Sequence, residues 1–367
     1  MQVGRFGNKL FKQKYDFWNN KKVIITGCTG FKGSWLTIIL KRYGASIIGI
    51  ALPPKKKNDI FNKAQLKKKI KFFNCDINNS KRINKIILLT KPDIVFHLAA
   101  QTLVLKSYKK TQETYLTNII GSSNIIEACL NLKKKNTLVI TTTDKVYNNK
   151  NNFRKFVETD ELSGNDPYSA SKASLEVLCK YYISLTKIHN FFSMSIARAG
   201  NVIGGGDWSE NRLFPDIFRA INNKKKIILR NPNSTRPWQH VLDSLYGYLS
   251  LAEMTFKYKK YCTAYNFGPK KNVSTSVLSI VNKIKESFAD LKIKIKKNKH
   301  YESKTLELNS NKAKRDLFFN PLWNLEHSIT KTINWYFNFK KNETAASLCL
   351  NDIECYEKDF NKKNNKF

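Results

Sequence analysis

At 367 residues the chain exceeds one ordinary domain, and its 41% hydrophobic content can bury a sizeable interior, which excludes wholesale disorder. The 65 Lys and Arg against 28 Asp and Glu give a formal charge of +37. The lysine runs are scattered among Asn and Ile, without zinc-finger spacing or a basic helix feeding a heptad zipper, so the excess reads as a solvated surface and no nucleic-acid partner is expected. Met1–Asn20 is polar and basic and lacks a signal-peptide stretch. With no apolar run of about 18 residues, no membrane partner is expected. Seven isolated cysteines without a C-x-x-C pair argue against a disulfide framework or a metal site. A soluble, cytoplasmic protein is the expectation.

In chain order, Lys22–Thr26 reads as a buried strand, Phe31–Tyr43 as a helix, and Ser46–Leu52 and Ile70–Asn74 as further strands. Lys81–Thr90 is helical and leads to the strand Asp93–Leu98. A helix over roughly Glu113–Leu130 precedes the strand Thr137–Thr142, and a long helix Tyr168–His189 precedes the strand Phe192–Arg198. Repeated β-α units imply a Rossmann-type, doubly wound parallel α/β sheet. Past Arg198 the glycines, prolines and tryptophans of Gly200–Pro237 break the rhythm and suggest a smaller C-terminal substrate-binding lobe. The expected division is an N-terminal extension 1–16, a dinucleotide domain 17–200 joined by a later segment near 238–268, a lobe 201–340, and a C-terminal helix with a frayed tail, 341–367.

Between the first strand and helix, Gly27, Gly30 and Gly33 form G-x-x-G-x-x-G, with Thr29, Phe31 and Lys32 in the same loop. Such glycines let backbone amides approach a pyrophosphate at a helix N-terminus, though any tight β-α turn can collect glycine. The acid expected to close the second strand is missing, since Leu52 is followed by Pro53, Pro54 and Lys55–Lys57. The choice between NAD and NADP therefore stays open at that position. Asp76 and Ile77, after the third strand, are candidates for the adenine side. Tyr168 and Lys172 stand four apart at a helix start, hence on one face, where a lysine ammonium would lower the phenol's pKa. Thr143, Asp144 and Lys145 follow a strand whose carboxyl end should face the ligand crevice. Trp208 and Trp238 either cover a nucleotide or fill the lobe's core. His97 and Cys28 read as packing residues rather than a catalyst and a reactive thiol.

The segments Thr26–Leu36, Phe96–Gln101, Thr142–Lys145, Asp166–Lys172, Arg198–Trp208 and Arg236–Val241 resemble the extended short-chain dehydrogenase/reductase superfamily, and within it the CDP-glucose 4,6-dehydratases. The likeness runs from about residue 17 to about residue 336, and Cys28 departs from the His usual there. The resemblance implies bound NAD, held by the glycine loop, Asp76, Ile77, Leu98, Ala99, Ala100, Tyr168 and Lys172. It implies that Tyr168, with Lys172 and Thr143, removes the hexose 4-hydroxyl proton during oxidation at C4. Lys145 would then take the C5 proton and Asp144 would protonate the departing C6 hydroxyl. A nucleotide sugar, CDP-glucose first, would be bound by Gln101, Thr143, Asn201, Arg212, Arg236, Asn266 and Tyr301. The family likeness also implies a homodimer or homotetramer joined through the helices near Glu113–Leu130 and Tyr168–His189. Thymidine-sugar dehydratases carry Glu where Lys145 stands, whereas the inverting UDP-N-acetylglucosamine dehydratases share Thr-Asp-Lys. Other nucleotide-sugar dehydratases, a 4-epimerase and a non-enzymatic Rossmann binding protein are the rival readings.

Overall fold

The computed structural model describes residues 9–54, 56–150, 154–269, 275–296 and 305–364, with only the backbone of 9–13 and 364. Near-continuous apolar runs build the sheet, as strands covered on both faces require. These are β1 (Lys22–Thr26), β2 (Ser46–Ala51), β3 (Lys71–Asn74), β4 (Ile94–His97), β5 (Asn136–Thr141) and β6 (Phe192–Ala199). A seventh strand, β7 (Ala264–Phe267), returns from the later chain to pair with β6. The order is β7-β6-β5-β4-β1-β2-β3, and every ladder is parallel. The expected doubly wound Rossmann sheet is thus the fold. Its order reverses between β1 and β4, and the carboxyl ends there open a ligand crevice.

Helices cover both faces: α1 (Lys9–Trp18), α2 (Phe31–Arg42), α3 (Ser80–Thr90), α4 (Gly121–Asn131), α5 (Pro167–Leu185), α6 (Leu213–Asn222), α7 (Val241–Lys257), α8 (Leu325–Lys340) and α9 (Ala345–Asn364). Alternate strand residues point to opposite faces. Ile24, Val95, Leu138 and Ile140 therefore pack on Ile83, Ile125 and Leu175 from α3, α4 and α5. On the other face Ile25, Phe96 and Val139 share a core with Trp35, Leu245 and Ile353 from α2, α7 and α9. Among the described residues no helix is long and apolar enough to cross a membrane.

Three local features differ from the expected elements. The helix expected near Glu113–Leu130 contains a wide π turn, Leu116–Ile120, which turns Asn118 inward, where its amide bonds the Gln101 carbonyl (3.0 Å) and Ser171 Oγ (2.9 Å). The long helix α5 ends at Leu185, short of His189. The expected break at residue 16 falls inside α1, whose Trp18 is fully buried against Phe96, so the helix is part of the body. At the other end α9 runs to Asn364, and Glu357 accepts hydrogen bonds from Tyr43 (2.9 Å) and Tyr246 (3.0 Å). Trp208 meets Tyr336 edge-on and Trp238 meets Phe214, so both tryptophans pack into the core shared with the sheet.

Candidate active site

The glycine loop closes tightly between β1 and α2. Gly27 sits at φ +70°, and a Cβ there would lie 2.8 Å from the Ala99 nitrogen. A Cβ on Gly33 would lie 2.3 Å from the Gly27 carbonyl oxygen. Gly30 differs, since its Cβ would meet only that carbonyl, at 3.3 Å, and it caps α2 without any side-chain hydrogen bond. The first amides of α2 thus face an open cradle with the positive end of the helix behind them, which fits the diphosphate of a dinucleotide. Leu98 and Ala99 border the cradle, with their amides on Thr26 Oγ1 (3.2 Å each), and Ala100 follows them in the chain. Asp76 is exposed after β3, and Ile77 packs behind it against Gly121. Thr29 caps the Leu52 carbonyl at the end of β2 (3.0 Å). Lys56 reaches the Trp208 carbonyl (2.7 Å) and Glu210 (3.3 Å) rather than standing free beside the strand end. Gly33→Ala should lower NAD affinity at least tenfold and reduce Tm, because neither backbone nor helix can yield the missing ångström. Calorimetric titration with NAD and a melting curve check it.

Beyond the loop, β5 delivers Thr143, Asp144 and Lys145 into a single 3-10 turn, Asp144–Val146, capped by Thr143. Thr143 Oγ1 donates to Asp144 Oδ1 (3.0 Å) and accepts from the Lys145 amide (3.3 Å). The start of α5 is fixed by Pro167 and by a reciprocal capping box between Asp166 and Ser169. That box presents Tyr168 beside Thr143, while Lys172 donates to the Thr141 carbonyl (3.1 Å). Thr143, Asp144, Tyr168 and Lys172 therefore converge, with Lys145 half-buried beside them.

The electrostatics sort these groups. Burial pushes Tyr168 up to about 12 against the pull of Thr143 and Arg212, so the expected lowering of the phenol by Lys172 is not what prevails here. Burial lowers Lys172 to about 8. It raises the Asp144 carboxyl above its ordinary range, against Lys145, Thr143, Arg236 and Lys32. Asp144 is 2% exposed, and its Oδ2 has no hydrogen-bond partner among the described residues. A buried acid with one oxygen free of internal hydrogen bonds is equipped to donate a proton.

On the substrate side, Arg212 bonds Asp207 Oδ2 (3.0 Å) and Thr102 (3.2 Å) and lies within electrostatic reach of Tyr168. Arg236 is buried and lies within electrostatic reach of Asp144. Asn201 is half-buried, with its carbonyl on the Gln239 amide (3.0 Å). Two expected ligand residues are occupied otherwise. Asn266 is fully buried, accepting from Tyr147 Oη (2.6 Å) and donating to the Phe156 carbonyl (3.0 Å). Gln101 spends its amide on Thr114 and on the backbone of Leu103. Both brace the site's walls, because burial obliges an amide to satisfy itself internally. Tyr301 lies outside the described residues. His97 bonds Thr26 and Ser122 and is held neutral by burial, at about 3. The Cys28 thiol, buried against Gly49, is pushed up to about 12. Sequence reasoning missed Tyr248, whose hydroxyl accepts from Lys32 (3.2 Å). It also missed Glu176, although a carboxylate four residues beyond Lys172 on one helix face was a visible signal.

The sequence profile of the GDP-mannose 4,6-dehydratases matches residues 24–332. A CDP-glucose 4,6-dehydratase of Salmonella typhimurium is 34% identical over 93% of this chain and 97% of its own length. The chain belongs to the GDP-mannose 4,6-dehydratase family. The resemblance read from the glycine loop, the TTDK turn and the Y-x-x-x-K helix is thereby borne out. Members and neighbours of this family differ in chemistry: a UDP-glucose 4-epimerase of Mycoplasma genitalium is 24% identical over 87% of this chain and 97% of its own. The fold alone is shared with a UDP-glucuronic acid 4-epimerase of Bacillus cereus, solved with UDP-glucuronic acid and NAD (TM-score 0.73, 23% identity, 87% of this chain and 99% of that one).

Proposed function

We propose that the protein is a nucleotide-sugar 4,6-dehydratase, a hydro-lyase that converts CDP-glucose to CDP-4-keto-6-deoxyglucose. The observation that carries this reading is the Asp144–Lys145 turn beside Tyr168. A 4-epimerase needs a base at O4 but no acid and base for losing water, and here both elimination groups sit within one turn of Thr143. NAD, which the glycine loop, Tyr168 and Lys172 would hold, would supply the redox chemistry as acceptor of the C4 hydride and its donor at C6. Tyr168, with Thr143 on the same oxygen, takes the 4-hydroxyl proton. The resulting ketone makes the C5 proton acidic, Lys145 removes it, and Asp144 gives its proton to the C6 hydroxyl as water leaves. Lys172 holds the cofactor ribose, while Arg212, Arg236 and Asn201 take the diphosphate, for which a guanidinium fork is suited.

CDP-glucose is favoured by the Salmonella relative, and Lys145 argues against a dTDP sugar, whose dehydratases carry Glu there. Purified protein incubated with NAD and each of CDP-, dTDP-, UDP- and GDP-hexoses should form the 4-keto product fastest from CDP-glucose. Faster turnover of another nucleotide sugar overturns the specificity, and no reaction with any of them overturns the activity.

A homodimer completes the proposal. Leu116 and Ile120 on the π turn, and Val177 and Tyr181 on α5, are more than half exposed. Four large apolar side chains on adjoining helices fit a second copy of the same face. Tyr181→Lys should convert the dimer to monomer in light scattering without loss of helical circular dichroism. The unbridged cysteines support a reducing, cytoplasmic setting.

A further inference from the structure

Beneath the catalytic turn lies a buried ion pair that the mechanism does not use. Glu176 (1% exposed), one turn beyond Lys172 on α5, accepts two hydrogen bonds from Arg198 Nε (3.0 and 2.9 Å), and Arg198 is 2% exposed on β6. Both ends of the catalytic turn are tied to this pair. At its start the Thr142 hydroxyl donates to Glu176 Oε1 (2.5 Å). At its end the Tyr147 hydroxyl accepts from Arg198 Nη1 (2.7 Å) and donates to Asn266 Oδ1 (2.6 Å). Arg198 also donates to the Glu158 carbonyl (3.1 Å), and its guanidinium lies over the Tyr147 ring at 5.0 Å.

We propose that Glu176 and Arg198 are a positioning pair for the reaction, locking the turn that carries Thr143, Asp144 and Lys145 to the helix that carries Tyr168 and Lys172. This rests on the dehydratase reading above. Two buried charges are not retained for stability, since matched apolar replacements are commonly neutral or better. What an apolar pair would not supply is a fixed carboxylate below Lys172. The groups acting on Lys172 are Cys179 and Glu176 on its own helix, His97 on β4 and Lys32 on the glycine loop. Cys179 is held as a thiol by burial and His97 is neutral, so Glu176 is the anion among them. Burial lowers Lys172 to about 8, and Glu176 opposes the fall. Removing its charge lowers Lys172 further, so the ammonium is lost at lower pH.

The test compares Glu176→Gln and the doubly neutral Glu176→Gln/Arg198→Met with Thr142→Val, which keeps both charges. The double variant leaves no unpaired buried charge should the single one fail to fold. Expected are a plateau kcat about tenfold lower with KM for CDP-glucose within about threefold in both variants that carry Glu176→Gln, an alkaline limb shifted down by about half a pH unit or more in Glu176→Gln, and a smaller downward shift in the double variant, where losing the Arg198 cation offsets part of it. Thr142→Val should lower kcat with the limb unmoved. A limb unmoved in folded Glu176→Gln protein, or an unchanged kcat, overturns the proposal. Acetic anhydride labelling of Lys172 against pH, read by mass spectrometry, measures the same shift without turnover. If wild type fails on every nucleotide sugar while labelling shifts, the function falls and the charge coupling stands; if wild type turns over and labelling does not shift, the coupling falls alone.

Discussion

Tyr168→Phe should cut kcat about 10³-fold, close to 4 kcal/mol of barrier, while leaving Tm and NAD affinity near those of the wild type. The substitution removes one oxygen and keeps the ring, and the neighbouring Thr143 hydroxyl keeps Asp144 as its partner. Burial holds the phenol at about 12, so at neutral pH it is protonated in the free protein. It can act as a base only in the complex, where the substrate hydroxyl and the cofactor's positive ring join Thr143 and Arg212 in favouring the phenolate. The loss therefore belongs in kcat and in C4 oxidation, with KM for the nucleotide sugar within about threefold. Isotope substitution at the sugar C4 separates the outcomes: a larger C4 deuterium effect in the Tyr168→Phe protein fits a slowed first step. Wild-type turnover in that protein would remove Tyr168 from the chemistry.

How much of this could be read beforehand divides along local and non-local lines. The strands and their parallel order were legible because a sheet covered on both faces needs unbroken apolar runs such as Lys22–Thr26 and Phe192–Ala199, and because helical crossovers enforce parallel pairing. The cluster of Thr143, Asp144, Tyr168 and Lys172 was legible for a similar reason: each is fixed by its position at a strand end or helix start. Asn266 and Gln101 were not, because whether an amide faces a ligand or braces a wall depends on what arrives from elsewhere in the chain. For Asn266 those arrivals are Tyr147 and Phe156, more than 100 residues away in sequence. Trp18 was hidden by composition, one of five aromatics in a basic N-terminal stretch, and its burial is explained only by the sheet's other face. The π turn at Leu116–Ile120 likewise leaves no periodic trace, since one added residue merely blurs the helical repeat.

Lys145→Ala should lower dehydration at least 10³-fold for a reason different from Tyr168→Phe. The C4 oxidation machinery is left intact, because Lys145 contributes only its amide to Thr143 Oγ1, and alanine keeps that amide. The 4-keto hexose should then form and stall with its C6 hydroxyl in place, and solvent deuterium should not enter C5. A small primary amine added to the buffer should recover part of the rate, since it can fill the vacated volume and take the C5 proton. Asp144→Asn provides the complementary loss. Its carboxyl would donate from the oxygen that no described group hydrogen-bonds, and asparagine fills the same space with no acidic proton to give. Because burial raises this carboxyl, the proton-donating form persists to higher pH than an ordinary aspartic acid allows and is lost as pH rises through the raised value. Leaving-group departure should therefore fall on the alkaline side in wild type, and in the Asp144→Asn protein it should be slow at every pH. Amine should rescue Lys145→Ala and not Asp144→Asn. Rescue of both, or dehydration at the wild-type rate by either, would take the acid and base of the elimination away from this turn and leave the protein with the oxidising half of the chemistry alone.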